Sequence, residues 1–265
     1  MANSLGSIGI IGGTGMLGRS ISHALLDRKI IQPSNFWVSN RSGSTIGFEQ
    51  HPGINFTSNN KQLCDECEII IVSVPPALVS GISIDVPGRL VISVMAGLTI
   101  NELQSLTGAG RIVRAMSSPA AELGLAYSPW VASAQVDATD RACVGKIFEA
   151  CGTTDEIDDE AHLDHFTAMT GPVPGFVAFY AECMIDYATK AGISPVIADR
   201  AIRQLFFASG AMLAHGNATP SDHVQEMIDY AGTTAAGLIS MKNSPIPEAI
   251  SQGLAAAVEK ARNIR

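Results

Sequence analysis

The stretch IGIIGGTGMLG, from Ile8 to Gly18, decides the fold of this chain. Its opening residues Ile8–Ile11 are mostly isoleucine, which predicts a short buried strand. Glycines follow at once, and the residues from about Leu17 to Leu26 have the apolar spacing of a helix. A strand that passes into a helix through a run of glycines is typical of the first unit of an α/β fold.

The first half of the chain repeats this alternation of strand and helix. Further apolar or β-branched runs predict strands at Phe36–Ser39, Ile69–Val74, Leu90–Val94 and Ile112–Ala115. The run EIIIVSV is apolar almost throughout, as expected of a strand that is covered on both faces. We therefore predict a parallel sheet with helices on both sides, the Rossmann-type doubly wound arrangement.

After about Asp158 the pattern becomes all-helical. The segment Gly175–Ala191 is apolar on most faces, so a helix there needs burial nearly all round. Caps and prolines mark further helices at Ser194-Pro195 with Gly216, at Thr219-Pro220, and over Ile246–Asn263. Because so short a segment cannot bury such helices by itself, we predict a homodimer. The predicted fold class is α/β, with a Rossmann domain over 1–157 followed by an all-α dimerisation domain over 158–265.

Composition excludes several classes of protein. The net charge of −8 and a pI near 5.2 argue against a nucleic-acid-binding protein, which needs a basic face. No apolar run reaches the roughly 18 residues of a membrane span, and the opening MANSLGSIGI does not resemble a signal peptide. The five cysteines are scattered, as in reduced cytosolic proteins. We therefore expect a cytoplasmic protein that binds neither nucleic acid nor membrane.

Two patterns resemble metal sites but do not predict one. Cys64 and Cys67 form a single CxxC with no second pair, which fits a helix end better than a zinc site. His162 and His165 lie near Glu160 and Asp164, but they lack a further ligand and fit the polar face of a helix. We expect no metal.

The glycine spacing predicts a bound dinucleotide. Gly13-x-Gly15-x-x-Gly18 after a strand and at a helix start is the dinucleotide fingerprint. We expect Gly13 to form the tight turn, Gly15 to admit a pyrophosphate, and Gly18 to let helix and strand pack closely. The pyrophosphate would be held at the start of this helix, by Gly13, Thr14, Gly15, Met16, Leu17 and Gly18.

The end of the second predicted strand selects the form of the dinucleotide. An acidic residue there would bind a ribose 2′-hydroxyl, but this chain has Ser39, Asn40, Arg41 and Ser42. A guanidinium flanked by hydroxyls suits a 2′-phosphate through charge-assisted hydrogen bonds. We therefore predict NADPH as the cofactor and hydride transfer as the chemistry.

Further segments resemble the pyrroline-5-carboxylate reductase family across essentially the whole chain. They are IGIIGGTGMLG, SNRS, VISVMAGLT, RIVRAM and EAHLDHFTAMTG, followed by a long helix, a proline-led helix and YAGTTAAGL. The resemblance implies an NADPH-dependent imine reductase of proline biosynthesis, which reduces a small cyclic imine. It also implies self-association as a homodimer or a larger ring of dimers.

The same resemblance assigns site residues. Asn60 would lie on the adenosine side of the cofactor, and the nicotinamide would be lined by Val74, Pro75, Pro76, Met95, Ala96 and Gly97. Thr170, Gly171, Gly232, Thr233 and Thr234 would surround the substrate, with Pro172, Val173 and Met116 beside them. Thr234, directly or through a water, would hydrogen-bond the imine nitrogen. Glu160, just ahead of the substrate loop, is a further catalytic candidate.

The chain departs from the family pattern in the substrate loop. Where the family commonly has Ser-Gly-Ser-Gly-Pro-Ala-Tyr, this chain has Thr170-Gly171-Pro172-Val173-Pro174-Gly175-Phe176. Pro172 removes a hydroxyl and a backbone N–H, and each lost donor costs about 1–3 kcal/mol in carboxylate binding. A less acidic C=N or C=O substrate is therefore one alternative. A non-catalytic NADPH-binding regulator is another, and a deazaflavin-dependent oxidoreductase with a similar glycine-rich start is a third.

Overall fold

The computed structural model of the protein describes residues 5–82 and 84–264. By internal contacts the chain divides into two compact units. The first extends to Pro172 and also contains the end of the chain from Ala256, and the second extends from Val173 to Ala255.

A seven-stranded sheet forms the centre of the first unit. In spatial order its strands are β3 (Asn55–Thr57), β2 (Phe36–Ser39), β1 (Ile8–Ile11), β4 (Ile69–Val72), β5 (Leu90–Ser93), β6 (Arg111–Ala115) and β8 (Trp130–Ala132). All neighbouring pairs are parallel except β6 with β8. The predicted Rossmann-type sheet is confirmed, because chain order reverses beside β1 as in doubly wound folds.

Helices and a small second sheet complete this unit. The helices are α1 (Met16–Asp27), α2 (Asn60–Glu66), α3 (Ile100–Thr107), α4 (Ala138–Glu149) and α5 (His162–Thr170). The second sheet pairs β7 (Ala126–Tyr127) with β9 (Gly152–Thr153). Alternate strand residues enter opposite cores, since Ile71 packs in one buried cluster and its neighbour Ile70 in the other. The sheet is therefore covered on both faces, as predicted.

The second unit is helical throughout the described residues. It contains α6 (Gly175–Lys190), α7 (Pro195–His215), α8 (Pro220–Asp229), α9 (Thr233–Lys242) and the first part of α10 (Ile246–Arg262). The predicted boundaries are present: Ser194 is the N-cap residue of α7, although its side chain makes no capping hydrogen bond, and Gly216 follows the last residue of that helix. The Thr219 side chain caps α8. No helix among the described residues is long and apolar enough to cross a membrane.

Large apolar side chains of these helices are exposed within a single chain. Phe179 on α6 is 66% exposed, Tyr187 is 76% exposed, and Phe207 on α7 is 74% exposed. No residue of α6 is buried. Contiguous exposed apolar surface of this kind is typical of protein–protein interfaces, which is the arrangement that the sequence predicts for a homodimer.

The paired cysteines are part of the core. Cys64 lies on the buried side of α2, and Cys67 follows the last residue of that helix. Both pack with Leu63 in the core against the sheet. Burial raises the pKa of Cys64 to about 11 and that of Cys67 to about 12. The CxxC pattern therefore lies at the end of a helix within the core.

Candidate active site

The glycine-rich turn lies between β1 and α1. Gly12 has a φ of +80°, and a Cβ there would lie 2.3 Å from the Ser73 carbonyl oxygen. Gly12, not Gly13 as predicted, therefore makes the tight turn, because an L side chain rarely adopts this backbone conformation. Gly13 is required for a different reason, since its Cβ would lie 2.9 Å from Val38 on β2.

The two later glycines of the fingerprint, Gly15 and Gly18, differ in how closely an added Cβ would approach the backbone. A Cβ on Gly18 would lie 2.5 Å from the Gly12 carbonyl oxygen, so this glycine lets α1 pack against the turn. A Cβ on Gly15 would meet only that same oxygen, at 3.2 Å. Gly15 is exposed and precedes α1 without a side-chain cap. Thr14, Met16 and Leu17 complete a helix start whose N–H groups and positive dipole end can hold an anion.

A compact loop follows β2. The Asn40 Oδ1 accepts hydrogen bonds from the backbone N–H of Ser42 at 3.1 Å and of Ser44 at 3.0 Å, and Asn40 Nδ2 donates to the Ser44 carbonyl at 2.8 Å. Asn40 therefore shapes the loop from within. Arg41 projects from it, exposed and without an ion pair among the described residues. A guanidinium in this state is available for a phosphate.

Ser39 and Asn60, both predicted cofactor residues, are in contact. The buried Ser39 hydroxyl donates to Asn60 Oδ1 at the first residue of α2. Thr57 supports the same corner, since it accepts from the Asn59 N–H at 3.0 Å and donates to Gln62 Oε1 at 2.7 Å. Ser39 thus holds α2 against the loop rather than facing solvent beside Arg41.

The two methionines predicted near the nicotinamide and the substrate are core residues. Met95 follows β5, is 3% exposed, and packs with Leu103 and Ile112. Met116 follows β6 and is 5% exposed, with its N–H donating to the Pro129 carbonyl. These side chains fill the core at the strand ends, which is one of the two roles that their positions allow, and a contact with the cofactor or substrate stays a prediction. Val74, Pro75, Pro76 and Ala96 lie at the same edge of the sheet and are at least partly accessible.

Gly97 makes a contact that the sequence did not reveal. Its φ is +76°, and a Cβ there would lie 2.7 Å from the Ile264 carbonyl oxygen and 2.8 Å from Ile264 Cγ2. The glycine therefore lets the end of the chain approach the Met95-Ala96-Gly97 segment. No local pattern could predict a contact between residues so far apart in the sequence.

Glu160 belongs to a buried charge cluster. Arg114 on β6 is 4% exposed, with Nη1 3.2 Å from Glu160 Oε1 and Nη2 2.6 Å from Asp164 Oδ1. Glu160 Oε1 also accepts the N–H of Ile100 at the start of α3, at 2.8 Å. This carboxylate therefore joins three elements, and its catalytic role stays a prediction. The arginine inside the buried strand RIVRA was the signal that could have identified its partner.

The predicted substrate loop joins α5 to α6. Thr170 is the last residue of α5, and its hydroxyl donates back to the Phe166 carbonyl at 3.0 Å. This hydroxyl proton is therefore not free for a substrate carboxylate, contrary to expectation. Gly171 is tightly placed, since its Cβ would lie 2.5 Å from the Thr167 carbonyl oxygen. Pro172 and Val173 are exposed.

Thr233 and Thr234 open α9. Gly232 is the cap position and provides no side chain, so the first N–H groups of α9 have no side-chain partner there. Both threonines are exposed. Ala231, immediately before, has a φ of +58°, in the left-handed region that favours glycine. The turn thus presents two hydroxyls and a helix start, an arrangement suited to a carboxylate.

Known proteins are similar to this chain over nearly its whole length. Residues 160–264 match the family model described as pyrroline-5-carboxylate reductase dimerisation, and residues 7–97 match the one described as NADP oxidoreductase, coenzyme F420-dependent. Pyrroline-5-carboxylate reductase 2 of Bacillus subtilis is 26% identical over 265 residues, covering 97% of this chain and 95% of that protein.

Solved structures give the same result. The pyrroline carboxylate reductase of Plasmodium falciparum, solved with NADP bound, has a TM-score of 0.82 and 25% identity, with 98% of each chain covered. A pyrroline-5-carboxylate reductase from Coxiella burnetii has a TM-score of 0.89 at 22% identity, again over 98% of each chain. Both halves of the sequence and the complete fold are therefore similar to those of pyrroline-5-carboxylate reductases.

Proposed function

We propose that this protein is an NADPH-dependent reductase that converts pyrroline-5-carboxylate to proline. The observation that carries the proposal is the full-length similarity to the Plasmodium falciparum pyrroline carboxylate reductase, which was solved with NADP. The enzyme class follows from the family, which consists of oxidoreductases acting on a CH–NH group. We also propose a domain boundary after Ile157, and the match to the dimerisation family model begins nearby, at residue 160.

The cofactor is NADPH, and the residues present fit it. Gly15 is exposed and has no side chain at the uncapped start of α1, where a pyrophosphate needs close approach to the backbone. Arg41 is exposed and unpaired at the end of β2, where a 2′-phosphate needs a cation. When bound, NADPH supplies a hydride from its nicotinamide ring. The protein's own contribution is to hold the cofactor and substrate in a reactive orientation.

Thr233 and Thr234 are the proposed substrate-binding side chains. The start of α9 provides N–H groups and a positive dipole end that stabilise a carboxylate. A threonine hydroxyl can also donate a hydrogen bond to the imine nitrogen, which makes the imine carbon a better electrophile. Threonine is a weak acid at neutral pH, so we assign Thr234 a hydrogen-bonding role rather than that of a general acid.

The protein associates with itself through its helical half. The family model for this half is described as a dimerisation domain, and α6 and α7 expose large aromatic side chains that a partner would cover. We propose a homodimer as the unit. A larger ring of dimers and a cytoplasmic location stay predictions.

A less acidic cyclic imine is the alternative substrate. Pro172 and Val173 stand where the family commonly has a serine and a glycine, and Thr170 donates its hydroxyl to its own helix. Fewer donors are thus available to a carboxylate in this loop. The named relatives nevertheless favour pyrroline-5-carboxylate, because the similarity extends over the whole chain.

The discriminating experiment compares substrates of matched ring size. NADPH consumption is followed with pyrroline-5-carboxylate and with unsubstituted pyrroline, which lacks the carboxylate. The proposal predicts a higher kcat/KM for the carboxylate substrate and proline as the product. A preference for the unsubstituted ring would support the alternative substrate, and binding of NADPH without turnover of either imine would support a regulator.

A further inference from the structure

A cluster of two histidines and an aspartate lies outside the proposed active site. His23 and Asp27 are four residues apart on α1, so their side chains lie on the same face of the helix. His51 reaches them from the connection between β2 and β3. One ligand atom from each of the three lies within 4.8 Å of the others. In the part of the chain that the structure describes, no other three His, Cys, Asp or Glu side chains meet this criterion.

The closest pair in this cluster is placed as two ligands of one ion would be. His51 Nε2 lies 3.1 Å from Asp27 Oδ1. That nitrogen is buried, yet it makes no hydrogen bond of acceptable geometry within the described residues. Two donor atoms that bind one tetrahedral zinc ion with bonds near 2.0–2.1 Å are about 3.3 Å apart. A short distance between His51 Nε2 and Asp27 Oδ1 without hydrogen-bond geometry is therefore expected if both atoms are directed at one metal ion.

The surrounding residues hold the histidines in place. His23 is 4% exposed and stacks on Phe48, with ring centroids 5.0 Å apart and 13° between the planes. The N–H of His51 donates to the Phe48 carbonyl at 2.9 Å, so the same buried phenylalanine also fixes the His51 backbone. The Gln50 amide lies 3.5 Å from His23 Nδ1, where it can fix the tautomer of the ring. Ligands preorganised in this way bind a metal with less loss of entropy.

Solvent and ions can reach the cluster. A cleft of about 340 Å³ borders His23 and is lined by Arg19, Gly47, Glu49, Gln50 and Glu122. Asp27 is 49% exposed, so its side chain can rotate to shorten the longer separations in the trio. The donor set favours a transition metal over Mg²⁺ or Ca²⁺, which prefer oxygen ligands, and Zn²⁺ is commonly bound by imidazole nitrogen together with a carboxylate.

We propose that His23, Asp27 and His51 form a Zn²⁺-binding site that fastens the connection between β2 and β3 to the end of α1. This connection begins with the loop that carries Arg41 and passes through Phe48 to His51. A bound ion would therefore stabilise the Rossmann domain at a position distinct from the glycine-rich turn. Three protein ligands leave one position of a tetrahedral ion for water.

The test is titration of the full-length protein with Zn²⁺ by calorimetry, with Co²⁺ absorption to identify the ligand type. We expect one Zn²⁺ per chain, a Co²⁺ spectrum of nitrogen and oxygen ligands without a thiolate band, and a higher Tm with Zn²⁺. Asp27→Asn and His51→Gln should each weaken binding at least tenfold and abolish the Tm increase. Asp27 is half exposed, so Asp27→Asn should fold normally, which circular dichroism and NADPH binding verify.

His162 and Asp159, a histidine–aspartate pair at the start of α5, provide the matched control. His162 Nε2 lies 3.8 Å from Asp159 Oδ2, both side chains are exposed, and residues 5–82 and 84–264 provide no third ligand close to them. His162→Gln should leave Zn²⁺ stoichiometry and affinity unchanged. The proposal would be overturned if the unmodified protein did not bind Zn²⁺, or if Asp27→Asn and His51→Gln still bound it. A thiolate band in the Co²⁺ spectrum would also overturn it.

Discussion

We propose that the choice between NADPH and NADH depends on Arg41. It is exposed and free of ion pairs among the described residues, and Asn40 organises the loop that presents it. A charge-assisted hydrogen bond contributes about 1.5–3 kcal/mol, or roughly 10- to 100-fold in affinity. Because only NADPH carries the 2′-phosphate, the loss of this guanidinium should affect NADPH alone.

We expect Arg41→Ala to raise the Kd for NADPH by roughly 30-fold, equivalent to about 2 kcal/mol, and to leave the Kd for NADH unchanged. Arg41→Lys should lie between the two, because lysine keeps the charge but not the bidentate geometry. Fluorescence titration with both nucleotides measures the effect. Arg141, which pairs with Glu156 at 2.9 Å on the same domain, provides the control Arg141→Ala. An equal loss for NADH and NADPH in Arg41→Ala would show that the loop does not bind the 2′-phosphate.

The turn between β1 and α1 has to let the helix pack closely against it and also has to bind the cofactor. A Cβ on Gly18 would lie 2.5 Å from the Gly12 carbonyl oxygen and also close to Gly13, whereas a Cβ on Gly15 would meet only that oxygen, at 3.2 Å. The two glycines should therefore respond differently to the same added methyl group. This difference separates the stability of the fold from the binding of the cofactor.

Gly15→Ala should weaken NADPH binding at least tenfold while lowering the free energy of unfolding by only about 1 kcal/mol, because alanine is a poorer N-cap than glycine and its methyl group lies 3.2 Å from the Gly12 carbonyl oxygen. Gly18→Ala should lower the free energy of unfolding by about 2–3 kcal/mol, because its methyl group meets backbone at 2.5 Å. Urea denaturation and NADPH titration measure the two quantities. Gly145 in α4 has no neighbour within 4 Å of its Cβ position, so Gly145→Ala should stabilise the protein by about 0.8 kcal/mol. Equal destabilisation by Gly15→Ala and Gly18→Ala would contradict this division.

Most elements could be predicted from the sequence because they depend on local periodicity. The strands β1, β2, β4, β5 and β6 and the helices α1, α6 and α7 lie within a few residues of their predicted positions. The short β3 and β8 were missed, since three residues are too few to show an alternating pattern. Their pairing with β2 and β6 is a tertiary contact that places them in the sheet.

The candidate site was predictable only in part, for the same reason. The glycine fingerprint and Arg41 are local patterns, and the structure places them at the expected ends of β1 and β2. The contacts of Glu160 with Arg114, of Gly97 with Ile264, and of His51 with Asp27 join residues that are distant in the sequence. No spacing rule reports such pairs. The burial of Met95 and Met116 likewise depends on how the strand ends pack.

At the scale of the whole molecule, the helical half needs a second copy to cover its apolar surface. Phe179 and Phe207 are 66% and 74% exposed in the single chain, and exposed apolar area of this kind drives association. Burying a large aromatic side chain contributes about 1.5–3 kcal/mol. A charge at either position would have to be desolvated on association, which costs more than the lost contact.

Phe207→Glu and Phe179→Glu should each shift the protein from dimer, or a multiple of it, toward monomer. Light scattering coupled to size-exclusion chromatography measures the mass. Leu123 is 72% exposed in the first unit, so Leu123→Glu is a control for an added charge at an exposed apolar residue, and it should leave the mass unchanged. A monomeric unmodified protein, or a dimer that both Phe variants leave intact, would contradict self-association through α6 and α7.

The central claim is that this chain transfers a hydride from NADPH to the imine carbon of pyrroline-5-carboxylate. The most direct measurement uses NADPH with deuterium in place of both hydrogens at the nicotinamide C4, so that transfer from either face of the ring is detected, and identifies the product by mass spectrometry. We expect proline that carries one deuterium on the former imine carbon, in equal amount to the NADP⁺ formed. Unlabelled proline, or no proline from a protein that binds NADPH, would contradict the claim.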